Sequence, residues 1–222
     1  MLYGGPEMDI ILNDNEVRIL ACLIEKEMTT PEYYPLSLNS LTNACNQKSN
    51  RNPVVSYDEI AVSRGLDSLQ EKGLIRKTFT SGSRVTKFLH ATLDRFDLSR
   101  QEMAIFCELM LRGPQTVGEL RAHTERMSAF ESLTQVEDTL QGLAEHDPPL
   151  TLKMSREAGR KECRYMHLLL GGVETLHDFN ADPAEIEISS DEKIKKLEDE
   201  IVTMRSELEE LKRAFSEFKA QF

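Results

Sequence analysis

Tryptophan is missing from this 222-residue sequence, and aromatic side chains make up only 6 % of it. With 40 % hydrophobic residues, that composition suits an ordinary helix-rich globular chain. No apolar run approaches the ~20 residues of a membrane-spanning helix, so no membrane partner is expected. The first residues, MLYGGPEMD, show neither a basic n-region nor an apolar h-region, so no secretory leader is expected either. The four cysteines (Cys22, Cys45, Cys107, Cys163) form no CxxC pair and share no metal-type spacing with histidine. Cys22 and Cys107 lie inside apolar helical runs and read as buried free thiols. The expectation is a reduced, cytoplasmic chain with no metal and no cofactor.

Catalytic signatures are also lacking. There is no Gly-rich phosphate loop, no GxSxG and no HExxH. The five histidines (His90, His123, His146, His167, His177) stand apart from one another and read as surface or packing residues. No catalytic residue is nominated, and a non-enzymatic protein is expected.

Net positive charge is missing as well. The chain carries −11, which argues against nonspecific nucleic-acid binding by the whole molecule. The distribution is uneven. Residues 1–43 carry −5, residues 44–90 carry +4, residues 91–188 carry −8 and residues 189–222 carry −2. Only the segment that begins with ACNQKSNRNPVVSYDE (Ala44–Glu59) is basic.

What is present is a duplication. LNDNEVRILACLI (Leu12–Ile24) and LSRQEMAIFCELM (Leu98–Met110) align without a gap. Asn13 and Ser99 are N-cap residues with Glu16 and Glu102 three positions on, the capping-box arrangement. Val17, Leu20 and Ile24, like Met103, Phe106 and Met110, recur at helical spacing. A short second helix follows each, Leu36–Cys45 and Thr116–Thr124, with Ser37 and Thr116 as caps. A third covers Ser56–Gly73, with apolar face Ile60, Leu66 and Leu69 and Gly73 as its stop. Its counterpart covers Leu133–Asp147, with Val136, Leu140 and Leu143.

Each third helix leads into a hairpin. LIRKTF and VTKFLH flank the turn SGSR, and LTLKMS and KECRYMHL flank REAGR. The expected fold class is mainly α with small β-hairpins (α+β): two tandem winged helix-turn-helix domains plus a C-terminal coiled-coil helix. The domains are placed at 8–93 and 94–170.

Residues 25–54, EKEMTTPEYYPLSLNSLTNACNQKSNRNPV, resemble the signature of the YceH family of uncharacterised bacterial cytosolic proteins. MLRGPQTVGELR (Met110–Arg121) and RKECRYMHL (Arg160–Leu168) match it as well. The resemblance spans roughly residues 8–170. It implies two winged-helix domains, no established activity and no catalytic residues.

In such a unit the third helix can enter a DNA major groove while the preceding turn and the wing straddle phosphates. That nominates Lys48, Asn50 and Arg51 in the turn, Arg64 on the third helix, and Arg76, Lys77, Arg84 and Lys87 on the wing. Asp58 and Glu59 oppose this, because they open the third helix where phosphates would lie. The second unit is poorer still, since Glu137, Asp138, Glu145 and Asp147 stand on its third helix without a Lys or Arg between Leu133 and Asp147.

Residues 171–190 read as a linker. Beyond it, Ile194, Leu197, Ile201, Met204, Leu208, Leu211, Phe215, Phe218 and Phe222 fill every a and d position of a heptad pattern. Glu200 and Glu207 fall at g, with Arg205 and Lys212 at the following e, so a coiled-coil homodimer over 191–222 is expected. The functional expectation is a DNA-associated regulator binding through the first domain. The alternative is a protein–protein scaffold of the same fold, with an unknown protein partner and no contact with nucleic acid.

Overall fold

The structure, a computed structural model, describes residues 10–79, 85–156 and 162–171. Arg84, His177, nearly all of the 171–190 linker and the whole 191–222 heptad segment, from Ile194 to Phe222, lie outside the described residues.

The mainly α, small-hairpin architecture follows from local signals. Helix α1 (Asp14–Thr29) is opened by Asn13, whose side chain accepts from the Glu16 backbone while the Glu16 carboxylate accepts from Asn13 N. A 3-10 turn (Pro31–Tyr33) leads to strand β1 (Leu36–Ser37), and Ser37 then caps helix α2 (Leu38–Cys45). Helix α3 (Glu59–Glu71) is capped by Asp58, which accepts from Ala61 N at 2.7 Å. It ends at Gly73, whose φ of 72° is the left-handed geometry that glycine tolerates best.

Strands β2 (Ile75–Phe79) and β3 (Thr86–His90) form the first hairpin, and β1 pairs with β3 to give the order β1-β3-β2. A short helix α4 (Thr92–Phe96) joins the halves. The pattern then recurs. Helix α5 (Arg100–Arg112) carries a second capping box on Ser99 and Glu102, and α6 (Val117–Thr124) carries a third on Thr116 and Glu119. Helix α7 (Leu133–Glu145) precedes strands β4 (Thr151–Lys153) and β5 (Tyr165–His167). Gln115 bridges to Tyr165 just as β1 pairs with β3.

The third helices therefore begin and end slightly inside the expected spans. One face differs. Ile60 points outward at 63 % exposure, and the buried stripe of α3 is Val62, Gly65, Leu66 and Leu69. Two turns separate Val62 from Leu69 at i, i+3/i+4, i+7 spacing, and that register puts position 60 on the opposite side. Gly65 is needed for this packing, since a Cβ there would sit 2.5 Å from Ile19 Cδ1 on α1.

The described residues lie in one compact unit, and the hydrophobic core runs continuously through both repeats. Helices α1 and α5 pack together at its centre, with Leu20, Leu23, Phe106 and Leu109 fully buried. Leu12 N donates to Leu169 O at 2.7 Å, tying the start of the first repeat to the end of the second.

Candidate functional site

The segment joining α2 to α3, residues 46–58, is the basic stretch singled out by the sequence. Its anchor is Arg51, whose side chain has no exposed surface. The guanidinium grips Glu25 on α1 with two bonds, Nη2 to Oε2 at 2.6 Å and Nη1 to Oε1 at 3.1 Å. It also donates to Ala44 O, Gln47 Oε1 and, from Nη2 at 3.5 Å, to Cys22 Sγ. A side chain so enclosed cannot reach a phosphate, and the expectation that Arg51 contacts DNA is corrected: it is the residue that folds the loop. Burial and the hydrogen bond to Glu25 work in opposite senses on this guanidinium, and its pKa is raised. Glu25 is correspondingly lowered, the Arg51 bond outweighing its burial.

Asn50 belongs to the same construction. It adopts φ 57°, a conformation Asn tolerates better than most residues. Its Oδ1 accepts from Arg112 at the end of α5, and Asn52 N donates to Leu111 O at 3.0 Å. The loop is thus fastened to α1 through Arg51 and to the second repeat through Asn50 and Asn52.

The remaining nominated cations divide into two sets. Arg76 is paired with Asp94 at 2.8 Å and Lys77 with Asp67 at 2.9 Å. Lys48 and Arg64 are exposed and Lys87 half-exposed, and none of the three makes an ion pair or hydrogen bond among the described residues. Around Lys77 the structure forms a groove of about 470 Å³, lined by Ser37, Leu38, Asn39, Glu59, Lys77, Val85, Thr86 and Phe88. It is framed by the start of α2, the start of α3 and both strands of the first hairpin. Ile60, Phe79 and Val85 are exposed large apolar side chains of these same elements and of the turn beside them. The exposed side of α3 carries Glu59, Asp67 and Glu71 against a single cation, Arg64.

A second buried polar cluster lies on α5. Glu108 is 2.7 Å from Arg112 Nε, yet burial lifts its carboxyl to about 7, with the Glu25 charge adding to the rise. His123 Nδ1 meets Gln115 Oε1 at 2.6 Å, and burial followed by the Arg112 charge lowers the pKa of this histidine. His90 is buried against Glu27, and burial, its largest influence, lowers it. His167 is buried with Nδ1 unpartnered among the described residues, and burial alone brings it down to about 4.

No group of three or more His, Cys, Asp and Glu side chains suited to a metal ion occurs among the described residues. Among them, too, no helix is long and apolar enough to cross a membrane. What sequence reasoning missed is the cluster of Arg18, Cys22, Glu25 and Cys45 around Arg51. Arg18, Cys22 and Glu25 were legible as one face of α1, at i, i+4 and i+7, and polar residues on an otherwise apolar helix were the available signal.

The chain belongs to the family described as "Protein of unknown function, DUF480", whose model matches residues 12–160. This is the uncharacterised bacterial family that the sequence signature resembles. A UPF0502 protein of Pelobacter propionicus is 48 % identical over 220 residues, covering 97 % of this chain and all of that protein. One of Geotalea uraniireducens is 49 % identical over 219 residues, with the same coverage. One of Opitutus terrae is 52 % identical over 182 residues, covering 82 % of this chain and 78 % of that protein.

Proposed function

We propose that this chain is a non-catalytic adaptor built from two winged-helix units, whose first unit receives another protein on the face made by α3 and the β2–β3 hairpin. One observation carries the reading: the cations on that face are largely answered by the chain's own carboxylates, while apolar side chains stand open around the groove. Arg76 and Lys77 are paired with Asp94 and Asp67, and Ile60 and Phe79 are 63 % and 69 % exposed. A phosphate backbone calls for unpaired cations, whereas a protein partner calls for apolar anchors ringed by polar groups.

A second reading, association with DNA through the same unit, draws on Lys48, Arg64 and Lys87, which have no partner among the described residues. The heptad pattern over 191–222 supports a homodimer in either case. The test compares the parent with an Ile60→Asp/Phe79→Asp variant in crosslinked cell extracts, alongside binding of both to a generic DNA duplex at physiological salt. The adaptor reading expects protein partners lost by the variant and no duplex binding by the parent. Duplex binding by the parent that weakens when Arg64 and Lys87 become Ala would replace it with the DNA reading.

A further inference from the structure

Cys22 on α1 and Cys45 at the end of α2 are both fully buried, and their thiols are hydrogen-bonded to each other. They lie beneath Arg51, whose Nη2 is 3.5 Å from Cys22 Sγ. Arg18 lies on the same side and donates to two carbonyls, Cys45 O at 3.5 Å and Pro53 O at 2.8 Å. The buried cluster therefore holds two guanidiniums, Arg18 and Arg51, against one closely bonded carboxylate, Glu25. Buried charge is stable only when it is balanced. The gapless alignment of the repeats puts Cys22 at the position of Glu108, an acid bonded to Arg112 in the second repeat. The same place in the fold thus presents an ionisable acid to an arginine twice.

We propose that Cys22 and Cys45 are an oxidisable dithiol, in which Cys22 is held as a thiolate by Arg51 and Arg18, and whose conversion to a disulfide by a hydroperoxide releases the 46–58 loop. The polarity within the pair agrees with this. Burial raises the Cys22 pKa, but the bond from Cys45 and the charges of Arg51 and Arg18 outweigh it, and the net direction is downward. Cys45, the donor of that bond, is pushed up. Cys107, equally buried but on α5 and donating to Ala21 O, is raised well above the ordinary range by burial first.

The chemistry balances in two steps. The Cys22 thiolate attacks the peroxide, forming an S–O bond as O–O breaks, and the departing hydroxide or alkoxide takes a proton to leave as water or an alcohol. Cys45 then gives up its proton, its Sγ attacks Cys22 Sγ, the S–O bond breaks and water leaves. The peroxide is reduced by two electrons and the two thiols are oxidised to one disulfide. The product carries no charge, so Arg51 loses one of the acceptors that hold it. Since Arg51 anchors the loop that Asn50 and Asn52 fasten to α5, loosening it weakens the junction between the repeats. Because both thiols are covered, the reaction waits on a local opening of the loop.

The experiment uses the full-length chain with Cys163→Ser, which removes the partly exposed thiol. The protein is treated with hydrogen peroxide under native conditions, quenched by alkylation and mapped without reduction. The expected result is a linked Cys22–Cys45 peptide, with Cys22 consumed at least about tenfold faster than Cys107, as a thiolate difference of one pKa unit or more requires. Faster amide exchange in residues 46–58 is expected after oxidation. In a Cys45→Ser chain, a dimedone adduct should accumulate on Cys22 instead. Cys22 and Cys107 disappearing at one common rate would mean that only global unfolding exposes them and would overturn the proposal. So would a Cys22 that stays alkylatable when the native protein is treated but not when it is treated in denaturant.

Discussion

The two repeats place an acid at the same point of their first helix and resolve its burial differently. In the first, Cys22 sits among Arg18, Arg51 and Glu25, a cluster sealed by a thirteen-residue connection, residues 46–58, that is drawn inward. In the second, Glu108 has Arg112 on its own helix, a partly exposed partner, and the α6–α7 connection is held by outward-lying arginines. Arg121 donates there to Phe130 O and Glu131 O, and Arg100 to Met127 O. The difference shows how one helical frame is specialised. The first repeat uses an ionic plug to make a long polar loop part of the core. The second keeps a short loop on carbonyl caps and leaves its acid strained towards neutrality.

The largest effect that would break this comparison is removal of the plug. Arg51→Ala leaves Glu25 buried without its two-pronged partner, and about 3–5 kcal/mol of stability should be lost, the usual cost of orphaning a buried charge. Arg112→Ala should cost clearly less, since Arg112 is 24 % exposed and Glu108 can take up a proton near neutral pH. Urea unfolding of the two variants checks the ranking. Equal losses would mean that the two arginines perform the same task and that the contrast is one of loop length alone.

The duplication, the capping boxes and the hairpins were legible in the sequence because each depends on neighbours a few positions apart. Asn13 with Glu16 and Ser99 with Glu102 behave as their spacing dictates. The role of Arg51 was not legible. A basic, Asn-rich turn has the composition of a phosphate contact, and only the tertiary fold brings Glu25 from twenty-six residues away to meet it. Ile60 misled for the opposite reason. A helix start fits two registers of the apolar stripe, and Gly65 against Ile19 selects the other one. The adaptor face is likewise invisible in composition, since Asp67 and Asp94 neutralise Lys77 and Arg76 only once the chain is folded.

A smaller effect concerns pH and sharpens the contrast within the second repeat. The Glu108 carboxyl is raised from 4.5 to about 7, so the folded state binds this proton more tightly than the unfolded chain does. Its contribution is complete below about 4.5 and is lost as pH rises through 7. His167 is lowered from 6.5 to about 4, so its contribution is complete above about 6.5 and is lost as pH falls through 4. The two slopes oppose each other between about 4.5 and 6.5. In Glu108→Gln the first slope vanishes. Between pH 4.5 and 7.5 the stability of that variant relative to the parent should shift in its favour by roughly 1–3 kcal/mol. A difference that does not vary with pH would mean that Glu108 is ionised throughout.

Smaller again is the contrast between the two first-helix capping boxes. Glu16 and Glu102 play the same part, but Glu16 is 1 % exposed and its carboxylate also receives Lys72 from the end of α3 at 2.7 Å. Gln can serve in a capping box, so Glu→Gln removes mainly the charge. Glu16→Gln should cost about 1–2 kcal/mol, as expected for a charge-assisted bond to a buried acceptor, and Glu102→Gln only a few tenths. Thermal unfolding of the pair reads the difference, and parity between them would mean that Lys72 adds nothing.

The smallest expected effect on stability carries the most information about function. Asp67 and Asp94 are 62 % and 56 % exposed, and their pairs with Lys77 and Arg76 are of the surface kind that contributes only tenths of a kcal/mol. Asp67→Asn/Asp94→Asn should therefore leave the unfolding transition nearly unchanged. It should nevertheless alter the electrostatics of the face that holds the groove, because two cations lose their intramolecular partners and the net charge there rises by two. If carboxylates are what keep this face from binding phosphates, the variant gains weak duplex binding at low salt. Its salt dependence should be steep, with a slope near −2 for two new contacts. The adaptor reading expects that gain against a parent that does not bind. A parent that binds duplex with the same affinity and slope as the variant would mean that Lys48, Arg64 and Lys87 already suffice, and the first repeat would then be a nucleic-acid face after all.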